Sequence, residues 1–387
     1  MSAILKPKQE IIYLRYNVFM RLRDLKLTDY RNCVDLELDF DFDKILITGK
    51  NAQGKTNILE SICLLSTLKS PRTSNSLDFI NFDASKTEIN CNIIKSDTDI
   101  ELKYSYSNDK KRELSLNGVK TTPKNFKTVL KTVLFSTADL MLLRGNPSDR
   151  RDWLDRAISQ IYPAYDERLS KYDKIRIQKN NLLKNYLKTG VLNETLFEVY
   201  NEQLVITGSN IIFLRKKFLK EIERISQEKH RIISESEELT ISYDCSFISN
   251  NEYELENIAK AFTISLEERK QEEMRRGQCC VGPHRDDVIF YINNNESTKF
   301  ASQGQQRTVV LALKLSELDI ITQKTSDEPV LLLDDVLAEL DDIRQNYLLK
   351  SINKNTQTVI TSVDTLLFED EFLQGVKIYK IENGAVL

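Results

Sequence analysis

The feature that most constrains this chain is an eight-residue stretch, Gly49-Lys-Asn-Ala-Gln-Gly-Lys-Thr56, which has the form GxxxxGK[ST]. It follows a short apolar run, Ile45-Leu46-Ile47, and leads into a segment that is predicted to be helical from Thr56 to about Leu68. A strand before the pattern and a helix after it are the context in which it indicates a phosphate-binding loop. Glycines let successive backbone N–H groups curve round a phosphate, and the helix N-terminus adds a partial positive charge. We therefore predict that every residue of the stretch contributes to nucleotide binding: Gly49, Lys50, Asn51, Ala52, Gln53, Gly54, Lys55 and Thr56.

Two side chains of this loop have predicted chemical roles. Lys55 is expected to reach the β- and γ-phosphates and to assist catalysis. Thr56 is expected to offer its hydroxyl to Mg²⁺. The predicted cofactors are thus ATP and Mg²⁺.

A second motif is the apolar run Val330-Leu-Leu-Leu333, which is followed by Asp334 and Asp335. Four apolar residues and then a carboxylate describe a buried parallel strand that delivers an acid to the edge of the sheet where the phosphate loop also ends. We predict that Asp334 holds Mg²⁺, usually through water, and that Asp335 is a catalytic carboxylate that orients the attacking water.

A third motif, Ala301-Ser-Gln-Gly-Gln-Gln-Arg307, precedes a long predicted helix. Ser302 is a good N-cap and Gly304 permits a close backbone approach, so this helix tip is a second candidate anion site. The alternative interpretation is an ordinary helix cap. The order of phosphate loop, Ser-x-Gly-Gln and Asp-Asp is that of ABC-type ATPases, in which Ser302 and Gly304 of one subunit would contact the γ-phosphate bound by the other.

The rest of the chain predicts an α/β fold that is interrupted by helices. Residues 21–47 read as strands, with Val34, Leu36, Leu38 and Phe40 as one apolar alternation. Further antiparallel strands are predicted within residues 86–119, the last of which ends at the hairpin dipeptide Asn117-Gly118. Near the C-terminus we predict a helix over about 304–323, a strand over 329–333, a helix over 342–352, a strand over 358–361 and a strand over 376–381.

The middle of the chain is predicted to be helical. Apolar spacings of three and four predict one helix from Leu154 to Tyr172, and a third helix is predicted over about 255–276. Between them runs a heptad stripe: Phe197, Leu204, Ile211, Phe218, Ile225 and Ile232. A heptad stripe is also typical of a dimerising coiled coil, but Glu221 and Glu228 break its partner seam and Gly208 interrupts it. Packing inside a helical lobe is therefore the preferred interpretation, and Trp153 is expected in the core.

The net charge of −3 excludes a protein coated with basic charge, so any nucleic-acid surface has to be local. Residues 141–190 contain eleven basic and six acidic residues. Candidate contacts to a DNA backbone are Arg150, Arg151, Arg168, Lys171, Lys174, Arg176 and Lys179. A solvated helix face is the alternative. Arg72 is a candidate for contact with either nucleotide or DNA, with plain surface charge as its alternative.

Compartment and metal chemistry are also constrained. The six cysteines show no CxxC spacing and are predicted to be buried, reduced thiols of a cytoplasmic protein. With only two histidines, a zinc site is not expected. No apolar run approaches the length that spans a bilayer, and residues 1–20 lack the features of a secretory signal.

Taken together, these motifs resemble the RecF family of bacterial recombination and gap-repair ATPases. The resemblance rests on the Ser302–Arg307 and Leu331–Asp341 motifs and on four further stretches: Met20–Asn32, Leu134–Leu140, Arg144–Arg151 and Val281–Asp287. It implies an ABC-type ATPase head, like those of Rad50 and SMC proteins but without their long coiled coil. It also implies that Asp341 lies in a loop that meets the partner subunit.

The resemblance further implies how such a protein acts and how the chain is organised. It implies ATP-dependent dimerisation on DNA, slow DNA-stimulated hydrolysis, cooperation with RecR and RecO to load RecA at gaps, and a part in the SOS response. The expected parts are a dispensable extension (1–19), the first part of the head (20–149), a helical lobe (150–277) and the second part of the head (278–387).

Two other classes of protein share the same motifs. One is an SMC- or Rad50-type chromosome-organising head, which would need hundreds of heptad residues. The other is the ATP-binding subunit of a transporter, in which the distance from Thr56 to Ser302 would be much shorter. Asp335 stands where transporter ATPases usually have glutamate, and no histidine follows the strand that ends at Thr361. Both departures favour slow turnover.

Overall fold

The computed structural model of the protein describes residues 20–249, 252–353, 355–366 and 368–387; the predicted N-terminal extension lies outside these residues. Within the described residues the chain forms fifteen strands. In chain order they are β1 (Met20–Tyr30), β2 (Cys33–Asp39), β3 (Lys44–Thr48), β4 (Lys86–Lys95), β5 (Thr98–Ser107), β6 (Arg112–Leu116), β7 (Val119–Lys120), β8 (Thr132–Ser136), β9 (Leu239–Asp244), β10 (Asp287–Ile292), β11 (Asn295–Glu296), β12 (Val330–Asp334), β13 (Thr358–Ser362), β14 (Lys377–Glu382) and β15 (Ala385–Val386).

The same residues form eleven α-helices, five of which lie between β8 and β10. In chain order they are α1 (Lys55–Thr67), α2 (Pro123–Phe126), α3 (Pro147–Ile161), α4 (Tyr165–Thr189), α5 (Glu194–Ser234), α6 (Leu255–Glu268), α7 (Lys270–Arg276), α8 (Ser297–Phe300), α9 (Gln303–Thr325), α10 (Asp342–Ser351) and α11 (Asp370–Leu373). No helix among the described residues is long and apolar enough to cross a membrane.

A six-stranded sheet in the order β15-β14-β3-β13-β12-β8 carries the phosphate loop. Its strands are parallel except for β15, which forms a hairpin with β14. Both faces are buried: Ile45 and Ile47 belong to one hydrophobic core, and Leu46 belongs to the other. Burial on both faces explains why β3 and β12 are continuous apolar runs, and the two predicted buried strands are confirmed.

A second, antiparallel sheet has the order β2-β1-β4-β5-β6-β7 and shares a core with α1. Its predicted hairpin is confirmed: Asn117 and Gly118 have φ of 48° and 74°, and they link β6 to β7. The placement of Val34 in the inward alternation was wrong, because its side chain is 62% exposed. Cys33 is buried, but the next two side chains, Val34 and Asp35, are both exposed. The regular alternation of buried and exposed side chains therefore begins only at Leu36.

The helices from α3 to α7 are inserted between β8 and β10, and a small sheet of order β11-β10-β9 joins them to the head. The single helix predicted from Leu154 to Tyr172 was wrong, since α3 ends at Ile161 and α4 begins at Tyr165. Pro163 lies in the break, and a proline forces the residue before it out of the helical region; Tyr162 has φ −116° and ψ 91°. The helix predicted over 255–276 is likewise two helices.

The heptad stripe lies on one helix, α5, as predicted. Phe197, Leu204, Ile211 and Phe218 are buried, but Ile232 is 56% exposed and does not belong to the core. Gly208 does not interrupt this helix. A Cβ there would lie 2.6 Å from a ring carbon of Phe262 and 3.0 Å from one of Tyr172, so this glycine lets α4 and α6 pack closely against α5.

These elements confirm the predicted fold class, an α/β head of the ABC type with an added antiparallel sheet and inserted helices. Trp153 is buried as predicted, and its indole N–H donates to Glu317 Oε1 at 2.6 Å. Five of the six cysteines are buried free thiols, as predicted, and Cys280 is half-buried.

Candidate nucleotide-binding site

The phosphate loop connects β3 to α1 and depends on two glycines. Gly49 has φ +150°, and a Cβ there would lie 2.4 Å from the carbonyl oxygen of Ile381. Gly54, the N-cap of α1, has φ +113°, and its Cβ would lie 2.9 Å from Asn32 Oδ1. No other residue type fits these positions without displacing backbone or a hydrogen-bonded side chain.

Lys55 is almost completely buried beneath the loop. Its ammonium group donates to the carbonyl oxygens of Gly49 at 2.7 Å and Lys50 at 3.3 Å. The same nitrogen lies 3.9 Å from Asp335 Oδ2. The cation is therefore held inside the loop, between its backbone and the carboxylate that follows β12.

Thr56 and Asp334 are brought together by the strand order. Because β13 lies between β3 and β12, the hydroxyls of Thr56 and Thr361 both donate to Asp334 Oδ1, each at 2.9 Å. Burial raises the pKa of Asp334, and these two hydrogen bonds oppose that shift. A threonine hydroxyl beside a carboxylate is a set of hard oxygen donors, which is the type that Mg²⁺ prefers.

The donor set also fits the way in which Mg²⁺ is usually bound. No group of three or more His, Cys, Asp or Glu side chains that could hold a metal ion occurs among the described residues. Mg²⁺ commonly takes one or two protein oxygens and completes its octahedron with water and substrate phosphates. Thr56 and Asp334 would hold it here.

Asp335 lies at the edge of the site in a constrained backbone conformation. Its φ is 50°, and its N–H donates to Thr361 Oγ1 at 2.9 Å. Its side chain remains one-third exposed. Thr361 thus fixes both aspartates, donating to one side chain and accepting from the backbone of the other. Sequence reasoning did not single out Thr361; the available signal was a threonine at the end of the buried strand β13.

An open cavity of about 920 Å³ lies over the loop. Three polar side chains that surround it were not assigned a firm role from the sequence: Asn32, Asn57 and Arg72. Asn32 Nδ2 donates to the carbonyl of Gln53 at 3.2 Å and its Oδ1 accepts from Asn57 at 2.7 Å. Arg72 donates to Asn57 Oδ1 at 2.7 Å while remaining 48% exposed, so it lies within reach of the cavity.

The tip of α9 does not belong to this cavity. Ser302 is the N-cap of α9 as predicted: its hydroxyl accepts from the Gln305 N–H at 3.2 Å, and Gln305 Oε1 accepts from the Ser302 N–H at 2.8 Å. Ser302 is exposed, and neither it nor Gly304 lines the cavity over the phosphate loop. The structure therefore brings Lys55, Thr56 and the two aspartates together and leaves the α9 tip outside.

The α9 tip is instead connected to the start of α10. Arg344 donates through Nε to Thr308 Oγ1 at 2.9 Å and forms an ion pair with Asp341. A Cβ on Gly304 would lie 3.3 Å from Arg344 Nη2, so the glycine leaves room for this guanidinium. Asp341 itself caps α10 by accepting from the Arg344 N–H.

Two of the predicted DNA contacts are corrected by the structure. Arg150 is buried and forms two hydrogen bonds with Asp287, at 2.8 and 2.7 Å. Lys179 has no exposed side-chain area and pairs with Glu273 at 2.5 Å. Internal carboxylates neutralise both cations, so neither is available to DNA. Of the other candidates, Arg168, Lys171 and Lys174 are exposed. Arg151 and Arg176 are half-buried.

A parallel sheet with a phosphate loop, an added antiparallel sheet and helices inserted before the capped helix α9 define an ABC-type ATPase head. The chain matches the family model described as RecF/RecN/SMC N terminal domain over residues 21–386. It belongs to the RecF family of DNA replication and repair proteins.

Individual relatives support this assignment. The RecF protein of Bacillus subtilis (strain 168) is 36% identical over 369 residues, which cover 95% of this chain and 100% of that protein. The RecF protein of Bacillus thuringiensis (strain Al Hakam) is 37% identical, covering 95% and 98%. A solved structure of the recombination mediator protein RecF with ATP, in the RecFOR pathway, superposes with a TM-score of 0.87 at 33% identity, covering 95% of this chain and 97% of that one.

A more distant likeness concerns the fold alone. The Smc head domain of Pyrococcus furiosus, bound to the C-terminal domain of ScpA, superposes with a TM-score of 0.53 at 14% identity, covering 95% of both chains.

Proposed function

We propose that this protein is an ATP-switched DNA clamp of recombinational repair. In this proposal ATP and Mg²⁺ bind over the phosphate loop, two copies associate face to face on DNA, and slow hydrolysis releases them. The observation that carries the proposal is the exposed tip of α9, which bears Ser302 and Gly304 but lies outside the cavity of its own chain. A helix N-terminus with free N–H groups is a ready anion site, and the γ-phosphate on a second copy is the anion that suits it.

A two-fold axis makes this arrangement self-consistent. In an isologous dimer each copy offers the same surface. The α9 tip of each copy then meets the phosphate loop of the other, which forms two equivalent sites. Asp341, joined to the α9 tip through Arg344, would lie in the same interface. Each nucleotide would then be enclosed between two protein surfaces, which couples binding to assembly.

The site residues have separate proposed roles. Backbone N–H groups from Gly49 to Thr56 enclose the phosphates, and Lys55 exchanges its backbone carbonyl partners for phosphate oxygens. Bound Mg²⁺ would supply positive charge to the phosphates. Thr56 and Asp334 would hold that ion, and Asp335, whose Oδ2 lies 3.9 Å from the Lys55 ammonium, orients the attacking water. Asp335 is shorter than glutamate and no histidine follows β13, which is the basis for proposing slow turnover.

Family membership supports the biological setting. Its relatives are DNA replication and repair proteins, and a solved homologue is a recombination mediator of the RecFOR pathway. We therefore propose that this protein works in the cytoplasm at gaps or junctions in DNA, with RecR- and RecO-like partners that help load RecA, and that it contributes to the SOS response. We further propose the division into head parts 20–149 and 278–387, a helical lobe 150–277 and a dispensable extension 1–19.

Two variants test the switch. Lys55→Ala is expected to abolish ATP-driven dimerisation in sedimentation velocity runs with and without ATP and gapped DNA. Asp335→Asn is expected to dimerise normally but to hydrolyse ATP much more slowly. Persistent ATP-dependent dimers of Lys55→Ala would contradict the role of the loop, and unchanged turnover of Asp335→Asn would place the catalytic carboxylate elsewhere.

A further inference from the structure

A second polar cavity lies among the inserted helices, and residues of the Val281–Asp287 stretch form part of its wall. It has a volume of about 440 Å³ and is bounded by α3, α4 and the segment between α7 and β10. It shares no lining residue with the cavity over the phosphate loop. We call it the arginine pocket, after Arg151, Arg176 and Arg285, which line it together with His284.

Two of these arginines are anchored on backbone carbonyls rather than on carboxylates. Arg151 Nη1 donates to the carbonyl oxygen of Asp286 at 2.7 Å, and Arg285 Nη2 donates to that of Cys279 at 3.1 Å. Neither guanidinium is in an ion pair with a carboxylate among the described residues. A guanidinium has five N–H donors. Each of these groups is therefore fixed in place while most of its donors and its charge remain available.

His284 does not supply the positive charge of the pocket. Its Nδ1 lies 2.7 Å from the Tyr172 hydroxyl and its Nε2 lies 3.4 Å from the Cys279 carbonyl oxygen. Burial, together with the positive charge of the three neighbouring guanidinium groups, lowers the pKa of His284 to about 3. The ring is therefore neutral at physiological pH and positions the wall of the pocket, and the arginines carry the charge.

The acidic side chains of the pocket are mostly paired. Asp155 accepts two hydrogen bonds from the buried Arg215, at 2.9 and 2.8 Å. Asp173 lies 3.1 Å from Arg176. Asp152 is the remaining carboxylate in the lining. The lining thus holds two guanidinium groups that are anchored on carbonyls and one exposed carboxylate, which leaves a net positive site.

We propose that the arginine pocket binds a phosphodiester group of the DNA backbone, with Arg151 and Arg285 as its donors. This rests on the DNA binding proposed above and assigns it a position. The exposed Arg168, Lys171 and Lys174 lie on α4, which also forms a wall of the pocket, and add positive charge to that helix. A contact of this type positions the protein on DNA without reading its sequence.

The test compares charge-removing variants inside and outside the pocket. Arg285→Gln and Arg151→Gln remove pocket donors, whereas Arg275→Gln removes an exposed guanidinium of α7 that does not line it. Affinity for gapped DNA is measured by fluorescence anisotropy from 50 to 300 mM NaCl, after circular dichroism melting shows that each variant is folded. Losing one phosphate contact should lower the slope of log K against log salt by about 0.9, which is about fivefold weaker binding at 0.15 M salt.

The outcomes separate this proposal from the proposed function. If the pocket variants match Arg275→Gln in affinity and slope while all bind DNA, the pocket assignment is wrong and the clamp proposal stands. If the unaltered protein does not bind DNA, the clamp proposal itself fails. A parallel series of thermal melts, in inorganic phosphate and in chloride at equal ionic strength, tests whether the pocket binds free phosphate instead of a DNA phosphodiester. If phosphate stabilisation depends on Arg285 but DNA affinity does not, the ligand is free phosphate and the DNA assignment is overturned.

Discussion

The buried pair of Lys179 and Glu273 gives a sharp prediction, because the sequence placed Lys179 on a DNA-binding surface. Both side chains have no exposed area, and the ammonium lies 2.5 Å from Glu273 Oε2. Glu273 Oε1 also accepts from the Cys280 N–H at 2.9 Å, and the ammonium lies 4.7 Å from the centre of the Phe197 ring. The pair thus joins α4 to α7 and to the segment that leads to the arginine pocket.

Lys179→Met should lower the free energy of unfolding by about 3–5 kcal/mol, because it leaves the Glu273 carboxylate buried without a cation. The double variant Lys179→Met/Glu273→Gln should recover most of this loss and lie within about 2 kcal/mol of the unaltered protein, since no lone charge remains buried. Urea unfolding followed by far-UV circular dichroism measures all of these free energies.

The matched control is Lys174→Met, on the same helix but exposed, which should change the free energy of unfolding by less than about 0.5 kcal/mol. If Lys179→Met proves as stable as Lys174→Met and weakens DNA binding instead, the buried pair does not exist in solution and the reasoning is refuted.

Three further predictions concern the site and the inserted helices. Gly49→Ala places a Cβ 2.4 Å from the Ile381 carbonyl oxygen and should abolish ATP binding in isothermal titration calorimetry; normal affinity would show that the loop can relax. Thr361→Val removes the hydroxyl that fixes both aspartates and should lower kcat for ATP hydrolysis about tenfold, equivalent to about 1.4 kcal/mol, and an unchanged kcat would dismiss its role. Burial raises the pKa of Asp286 from 3.8 to about 6. Between about pH 4 and 6 the folded state therefore binds more protons than the unfolded state, so the contribution of Asp286 to the free energy of unfolding falls as the pH rises. In Asp286→Asn that contribution, at most about 1.4 kcal/mol per pH unit, should vanish, and an identical pH profile of urea midpoints would contradict the assignment.

The sequence predicted well those parts of the fold whose structure depends on residues that are close together in the chain. The apolar runs before Gly49 and Asp334 became the two-sided strands β3 and β12, because burial on both faces leaves no polar positions. The Ser302 cap was likewise predictable, since its partner is only three residues away. Where a single residue interrupts a pattern the prediction failed, as at Pro163, which divides one periodic stretch into α3 and α4.

Long-range partners were not predictable from the pattern. The acceptors of Arg150 and Lys179 lie 137 and 94 residues further along the chain, so a local count of charges could not show that both cations are neutralised internally. The same holds for Thr361, whose contact with Asp334 depends on β13 pairing with β12 in the sheet. The sequence therefore predicted which residues lie together at the loop, and the strand order showed what holds them there.

A mixing experiment with two inactive variants tests the shared site most directly. Lys55→Ala lacks a working phosphate loop, and Ser302→Arg places a bulky cation on the α9 tip, so neither copy should dimerise with ATP alone. When the two are mixed, each mixed dimer regains one complete site from the loop of one copy and the helix tip of the other. Energy transfer between differently labelled copies should therefore rise on adding ATP to the mixture but not to either variant alone. If the mixture remains monomeric while each variant is folded, or if Ser302→Arg alone dimerises normally, the nucleotide is not held between two copies.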